Sequence, residues 1–353
     1  MYTNKTTKRV NVGSVPIGGG ADISIQSMLA VFAHDIDGNV QSAKALAAAG
    51  CDILRVSVPD EQSIKTLEKL KESVDIPIVA DIHFDWRLAV KAAEAGADKI
   101  RINPGNIGDE AGVREVAKTC KSRGIPIRIG VNSGSLEKSI LARHGSATAE
   151  ALLESGLYHI SLLEKYDFDD IVLSLKSSNI ATMYDAYVLA AQAVKYPLHL
   201  GVTEAGTENS GVIKSAAGIG GLLLRGIGDT VRISLTDDPI KEVEAAKKLL
   251  GALGIRKDGI RFVSCPTCGR TQIDLIGIAK EAEKRLSGVK KNITVAIMGC
   301  IVNGPGEAAA ADIGIAGGKG SGVLFKKGKI VSSGIPEDRL LDTLISEIEK
   351  MQE

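Results

Sequence analysis

Short β-branched runs alternating with stretches of helical period across residues 23–238 predict a closed, eight-stranded parallel α/β barrel, with a smaller α+β domain after it. The strand runs alternate polar and apolar residues, and the alternation locates a barrel interior. The segment from Gly254 to Gly259 breaks the repeat, so the boundary falls there, with a barrel over 1–254 and a second domain over 255–353.

In chain order the strand runs are 23–28, 53–58, 78–83, 99–103, 127–132, 171–176, 198–203 and 231–236. Helical stretches lie between them at 40–49, 63–72, 87–95, 113–123, 149–166, 181–194 and 212–224, and a last one spans 240–253. This length and order fit a TIM-type barrel. An open doubly wound sheet usually has fewer strands, and no G-x-G-x-x-G follows the first run.

Strands of a parallel sheet are commonly apolar on both faces. Here Leu54, Val56 and Val58 oppose Arg55 and Ser57, Ile100 and Ile102 oppose Lys99, Arg101 and Asn103, and Ile127, Ile129 and Val131 oppose Arg128 and Asn132. Asp81 and His83, Ser174 and Lys176, His199 and Thr203, and Arg232 and Ser234 continue the polar set. The apolar face must meet the outer helices, so the polar face lines the interior near the C-terminal mouth. Burying that many cations is costly unless an anion neutralises them. An internal salt-bridge layer with Asp81, Asp85 and Glu204 would do so, as would a small, multiply charged ligand such as a phosphate or diphosphate. Gly-, Asn- and Ser-rich connections at 103–108, 132–135 and 176–179 follow strands directly and favour the ligand.

The second domain opens on Cys265-Pro266-Thr267-Cys268 and continues to Cys300 and Glu307, a C-x2-C-x31-C-x6-E pattern at the ends of two strand-like runs. Three thiolates and a carboxylate in Gly- and Pro-rich turns suit an iron–sulfur cluster. A zinc ribbon would need a second C-x-x-C. A thioredoxin-like pair could use a helix over 271–285 to lower the Cys268 thiol, but leaves Cys300 unexplained. Inert buried cysteines are the remaining reading. Gly317 to Gly322 lacks phosphate-loop spacing and reads as a hairpin turn.

Composition excludes several partners. Lys+Arg and Asp+Glu both number 43 and aromatics make up 3%, which argues against nucleic-acid binding through bulk charge or stacking. No apolar run reaches membrane-spanning length, and five cysteines without a secretion signal indicate the cytoplasm.

Several motifs together resemble the GcpE family, the 4-hydroxy-3-methylbut-2-enyl diphosphate synthases of the non-mevalonate isoprenoid pathway, in its compact bacterial two-domain form. They are Val15-Pro16-Ile17-Gly18, Arg55-Val56-Ser57-Val58-Pro59, Ala80-Asp81-Ile82-His83-Phe84-Asp85, Arg101-Ile102-Asn103-Pro104-Gly105-Asn106-Ile107-Gly108, Gly130-Val131-Asn132, Gly201-Val202-Thr203-Glu204-Ala205-Gly206, the Cys265–Cys268 turn and Asn303-Gly304-Pro305-Gly306-Glu307. The resemblance implies an oxidoreductase that opens 2-C-methyl-D-erythritol 2,4-cyclodiphosphate to the linear allylic diphosphate, taking up two electrons and releasing water. It implies a 4Fe-4S cluster on Cys265, Cys268, Cys300 and Glu307, the glutamate being the harder, more exchangeable ligand that yields during catalysis.

On this reading Arg55, Arg101, Arg128, Lys176 and Arg232 hold the diphosphate, with Asn103, Asn132, Ser178 and Ser234 as neutral donors and Asp81, His83 and Asp85 tuning the cations or relaying a proton. Glu204 is the candidate acid or orienting group. His199 reads equally as a satisfied interior imidazole or a ligand. The family implies a homodimer whose active site is shared between chains, with electrons from flavodoxin or ferredoxin since no flavin or nicotinamide motif is present. One segment departs from the family: residues 29–34 are apolar where a polar loop is usual, which puts the first strand's share of the site in question. Competing functions are a cluster-carrying redox sensor whose barrel binds a phosphate metabolite, and a cluster-free transferase on a pterin-synthase-like barrel above a structural zinc.

Overall fold

A computed structural model describes residues 7–102, 110–257, 259–302 and 304–351. The chain divides into two compact units, Met1–Leu253 and Gly254–Glu353. In the first, an antiparallel hairpin of β1 (Val10–Val12) and β2 (Val15–Ile17) precedes eight barrel strands. These are β3 (Ser24–Met28), β4 (Ile53–Ser57), β5 (Ile78–Ile82), β6 (Lys99–Ile102), β7 (Ile127–Asn132), β8 (Ile171–Lys176), β9 (His199–Leu200) and β10 (Thr230–Val231). They pair in parallel in the order β8-β7-β6-β5-β4-β3-β10-β9, and a parallel bridge from Leu173 to Leu198 closes the ring.

The surrounding helices are α1 (Ile36–Ala48), α2 (Ser63–Ser73), α3 (Trp86–Glu94), α4 (Glu110–Arg123), α5 (Lys138–His144), α6 (Ala149–Lys165), α7 (Ile180–Ala193), α8 (Glu208–Ser215), α9 (Gly221–Leu224) and α10 (Pro239–Ala252). A π-helical turn over Ala216–Gly220 joins α8 to α9, so one helical path runs through the expected 212–224 and starts earlier.

A recurring device sets strand entry. The carboxylates of Asp52, Asp98 and Asp229, each just before its own strand, accept the backbone N–H of Ile25, Ile78 and Leu198 at 2.7, 2.8 and 2.8 Å. Each pins the start of a neighbouring strand and satisfies a buried donor. Where β8 meets β9 the ladder is sparse, and Tyr187 of α7 bolts the two together: its hydroxyl accepts from Leu175 N at 3.1 Å and donates to His199 O. The base of the barrel is apolar. Val12 and Ile17 of the hairpin pack on Ile53 and Val79, all four fully buried.

Three differences from the sequence expectation have local causes. The strands expected over 198–203 and 231–236 shorten to two residues each, pairing in β9 stopping where Gly201 offers no cross-strand side chain. The β1–β2 hairpin and α5 were not anticipated, because each is only a few residues long.

The second unit is a five-stranded mixed sheet in the order β11 (Arg261–Ser264), β12 (Thr294–Met298), β13 (Ile313–Gly317), β14 (Ser321–Lys326) and β15 (Lys329–Pro336). The first three strands are parallel, and β13 to β15 are antiparallel, so the 317–322 segment is a hairpin turn. Helices α11 (Leu275–Leu286) and α13 (Glu337–Lys350) cover one face through Leu286, Leu340, Leu344 and Ile348 against Val295, Ile297 and Ile315. On the other, Ala308 and Ala311, just after the short α12 (Gly304–Glu307), pack with Ala296, Met298 and Phe325.

Candidate functional site

The alternation along the strands gathers the long cations inside the barrel. Arg55, Lys99, Arg101, Arg128 and Lys176 are buried on β4, β6, β7 and β8, and the half-buried Arg232 follows β10 directly. Three carboxylates are buried among the described residues: Asp81 and Glu242 meet these cations, while Asp229 accepts from Leu198 N and Thr7 Oγ1. Asp81, 1 % exposed, accepts from Arg101 Nη1 at 2.9 Å, lies 3.4 Å from Arg55 Nε and 3.5 Å from His83 Nε2. Burial alone would raise its carboxyl, but Arg55, Arg101, His83 and Arg128 hold it well below the carboxylate range. Burial, with Arg232 and Arg101 alongside, lowers the Arg55 guanidinium to about 10 in spite of Asp81. Glu242, from α10, accepts from Ser27 Oγ at 3.0 Å, from Leu235 N at 3.0 Å and from Arg232 Nε and Nη2 at 3.3 Å each.

The remaining donors are left open. Arg128 Nη1 donates to Ser174 Oγ at 2.9 Å, while its Nε and Nη2, the Nε of Arg101 and Lys99 Nζ have no partner among the described residues. Burial first, then Arg232 and Arg55, depress the Lys176 ammonium. His199 is fully buried with neither ring nitrogen hydrogen-bonded, so it is not the satisfied imidazole of one sequence reading. Two glycines make space for the cations: a Cβ on Gly130 would meet Arg101 Nε at 2.5 Å, and one on Gly201 would meet Lys176 Nζ at 2.8 Å. A closely approached backbone of this kind is a recognised use of glycine in strands.

At the mouth, Asn132 and Ser234 are half-buried, and the Asn132 amide, turned to suit its neighbours, accepts from Arg101 Nη2 at 3.3 Å. Ser178 is exposed. Glu204 is exposed and holds a left-handed backbone, φ +54°, a conformation that costs a non-glycine residue energy and tends to accompany functional sites. Asp85 caps α3 through Arg87 N instead of joining the interior ion pairs. Asn103 and its loop lie outside the described residues. The unusual 29–34 segment is tied down: His34 Nε2 bonds the Asp60 carboxylate at 2.8 Å and Thr66 Oγ1 donates to Ala33 O at 2.7 Å. The strand before it contributes a thioether, with Met28 Sδ 2.8 Å from Arg55 Nη2.

In the second unit Cys265 and Cys300 follow the C-terminal ends of adjacent parallel strands, β11 and β12, where Ser264 registers with Ile297. The Gly299 N–H donates to Cys265 Sγ at 3.2 Å. Arg270 hydrogen-bonds Cys268 and feels the charges of Cys300 and Glu307. The Arg270 backbone N–H and then its guanidinium hold the exposed Cys268 thiol below its usual range. A helix N-terminus plays no part, because α11 starts only at Leu275, where Asp274 caps it by accepting from Gly277 N at 3.0 Å. No three His, Cys, Asp or Glu side chains among the described residues converge on a single-ion site. The donor set fits a cluster: soft thiolates, a backbone N–H already aimed at sulfur, and a cation beside the assembly.

Sequence reasoning placed Lys99 and His199 on the interior face without giving Lys99 a role, and it missed Glu242 and Arg270. Glu242 had a signal, since it falls in phase with buried Ala246 and Leu250 on an otherwise apolar helical stripe.

Residues 7–247 match the family model described as the GcpE TIM-barrel domain, and residues 261–350 that of the GcpE protein C-terminal domain. Curated relatives named 4-hydroxy-3-methylbut-2-en-1-yl diphosphate synthase (flavodoxin) match nearly end to end. That of Caldanaerobacter subterraneus subsp. tengcongensis is 56% identical over 347 residues, 98% of each chain. Those of Clostridium perfringens and Geobacter sulfurreducens are 56% and 52% identical over 345 residues, covering 98% of this chain and 99% and 98% of theirs. Among solved structures, Yersinia pestis dihydropteroate synthase with a sulfonamide drug superposes on 70% of this chain and 100% of its own, with TM-score 0.52 and 15% identity, a likeness of fold alone. With both units matched in order, and with relatives more than half identical over its length, the chain belongs to the GcpE family.

Proposed function

We propose that the interior cations hold the diphosphate of 2-C-methyl-D-erythritol 2,4-cyclodiphosphate while the cysteine-bearing unit carries the electrons that open its ring. The chain is an oxidoreductase with the activity of its relatives, forming 4-hydroxy-3-methylbut-2-en-1-yl diphosphate. The observation that carries the site assignment is the surplus of interior cations: five are buried and Arg232 is half-buried, and among the described residues only Asp81 and Glu242 of the three buried carboxylates pair with them. Arg55, Arg101, Arg128, Lys176 and Arg232 are the ligands we assign to phosphoryl oxygens, with Asn103, Asn132, Ser178 and Ser234 as neutral donors.

In the reaction a ring C–O bond breaks, two electrons and one proton enter, and the alcohol oxygen leaves as water. The diphosphate becomes linear and gains a negative charge. Preorganised guanidinium groups stabilise that developing charge without reorganising. Asp81 and His83 keep the cations in place, and Glu204, in its strained exposed turn, is positioned to donate or steer the proton to the departing hydroxyl.

Cys265, Cys268, Cys300 and Glu307 are the residues we assign to a 4Fe-4S cluster, which when bound supplies the electrons. Flavodoxin is the donor printed in the relatives' names, and ferredoxin is the alternative carrier. The working form we propose is a homodimer with a shared active site. Family resemblance supports this, and mixing a Cys300→Ser chain with an Arg101→Met chain tests it, since restored turnover requires sharing.

The deciding experiment is anaerobic turnover of the cyclic diphosphate with a strong chemical reductant, alongside iron and sulfide analysis. About four irons and four sulfides per chain are expected. A brown protein that binds the substrate without opening it would sink the reading and leave a sensor.

A further inference from the structure

The interior cations differ in how their charge is met. Asp81 answers Arg55 and Arg101, and Glu242 answers Arg232. Lys99 has no such partner. It projects from β6 in register with Val79 of the apolar base, is 0 % exposed, and its Nζ makes no hydrogen bond among the described residues. The charges that act on it are those of Arg128 and Arg55. His199 stands close enough to feel it, and so do Arg128 and Lys176 within the same group. At the depth of His199 the neighbouring strands offer Thr230 and Ser24, which carry no charge. An ammonium in that position is stripped of water and repelled, with nothing to offset either. Both effects favour the neutral amine.

A bound diphosphate reverses those conditions. It places negative charge among Arg55 and Arg128, the two groups whose repulsion, after burial itself, disfavours the charged form of Lys99. We propose that Lys99 is a diphosphate-binding residue acting from beneath the arginines, and that it joins the complex by taking up a proton, amine when empty and ammonium when loaded. This rests on the function proposed above. The ligand cannot account for the proton, because each phosphorus of a cyclic diphosphate bears a single acidic hydroxyl, ionised far below neutral pH. The proton comes from solvent and settles on the protein.

Titration calorimetry tests this with the cluster-loaded chain, anaerobic and without reductant, at pH 8 in buffers of different ionisation enthalpy. Wild type should take up protons on binding the cyclic diphosphate, and Lys99→Met should take up about one fewer per chain, with affinity that no longer weakens by up to about tenfold per pH unit. Equal uptake in the two chains would place the proton elsewhere, on Lys176 for example, and overturn the inference while leaving the function standing. If that variant does not fold, Lys99→Gln takes its place with the same two outcomes, and wild-type binding heats that do not depend on the buffer overturn the proposal outright. Failure of wild type to bind the cyclic diphosphate overturns both readings.

Discussion

Asp81 and Lys99 sit in the same barrel, and both should make stability rise with pH, each in its own window. The Asp81 carboxyl is held below its ordinary value of 3.8, so its stabilisation is complete above that value and lost as acid protonates it. Asp81→Asn leaves Arg55 and Arg101 buried without their counter-charge, which should cost roughly 3–5 kcal/mol at pH 7. Urea denaturation should show the gap between wild type and variant closing below about pH 4. Lys99 is depressed well below 10.5, so the unfolded chain binds more protons than the folded one over that window and stability rises with pH. Lys99→Met removes a penalty worth about 1.36 kcal/mol per pH unit of depression. The variant should therefore be more stable than wild type at pH 7, and its advantage should fade by pH 10. A variant less stable at pH 7 would mean the ammonium has a partner.

Among the elements, β9 and the residue after it show how backbone serves the site. Gly201→Ala puts a methyl 2.8 Å from Lys176 Nζ, the flexible far end of its chain. The lysine should swing aside, so that KM rises about tenfold, the equivalent of ~1.4 kcal/mol, with little change in melting temperature. A large loss of stability with unchanged KM would show the lysine is not a ligand. The strands were readable because period-two alternation records which face is wet, and Arg55, Arg101 and Arg128 fell where the pattern put them. Glu242 was not readable from the strands, since it reaches the interior from a helix. The hairpin escaped notice because two strands of three residues leave almost no periodicity, although Gly13-Ser14 between Val12 and Val15 is a two-residue turn signal. A helix end lowering the Cys268 thiol belongs to the thioredoxin-like alternative; the helix starts only at Leu275, and the adjacent Arg270 holds the thiol down instead.

The whole molecule divides its labour between two units with separate cores, Met1–Leu253 and Gly254–Glu353. That separation predicts that damage to one leaves the other's chemistry intact. Cys300→Ser should abolish turnover and lower bound iron and sulfide, yet still bind the cyclic diphosphate within about threefold of wild-type affinity, less than 1 kcal/mol, by calorimetry. Loss of binding would show that the cysteine unit shapes the cup. The two-part layout was legible from the break at Gly254 and from the cysteine spacing, which belongs to no barrel strand.

The hairpin stopper of Val12 and Ile17 against Ile53 and Val79 has a kinetic corollary. With the rear of the cylinder corked by hydrocarbon, there is one doorway, and reactant and spent molecule must queue for it. The linear diphosphate should accordingly inhibit by straightforward competition with the cyclic one, and a mixed inhibition pattern would reveal a second exit.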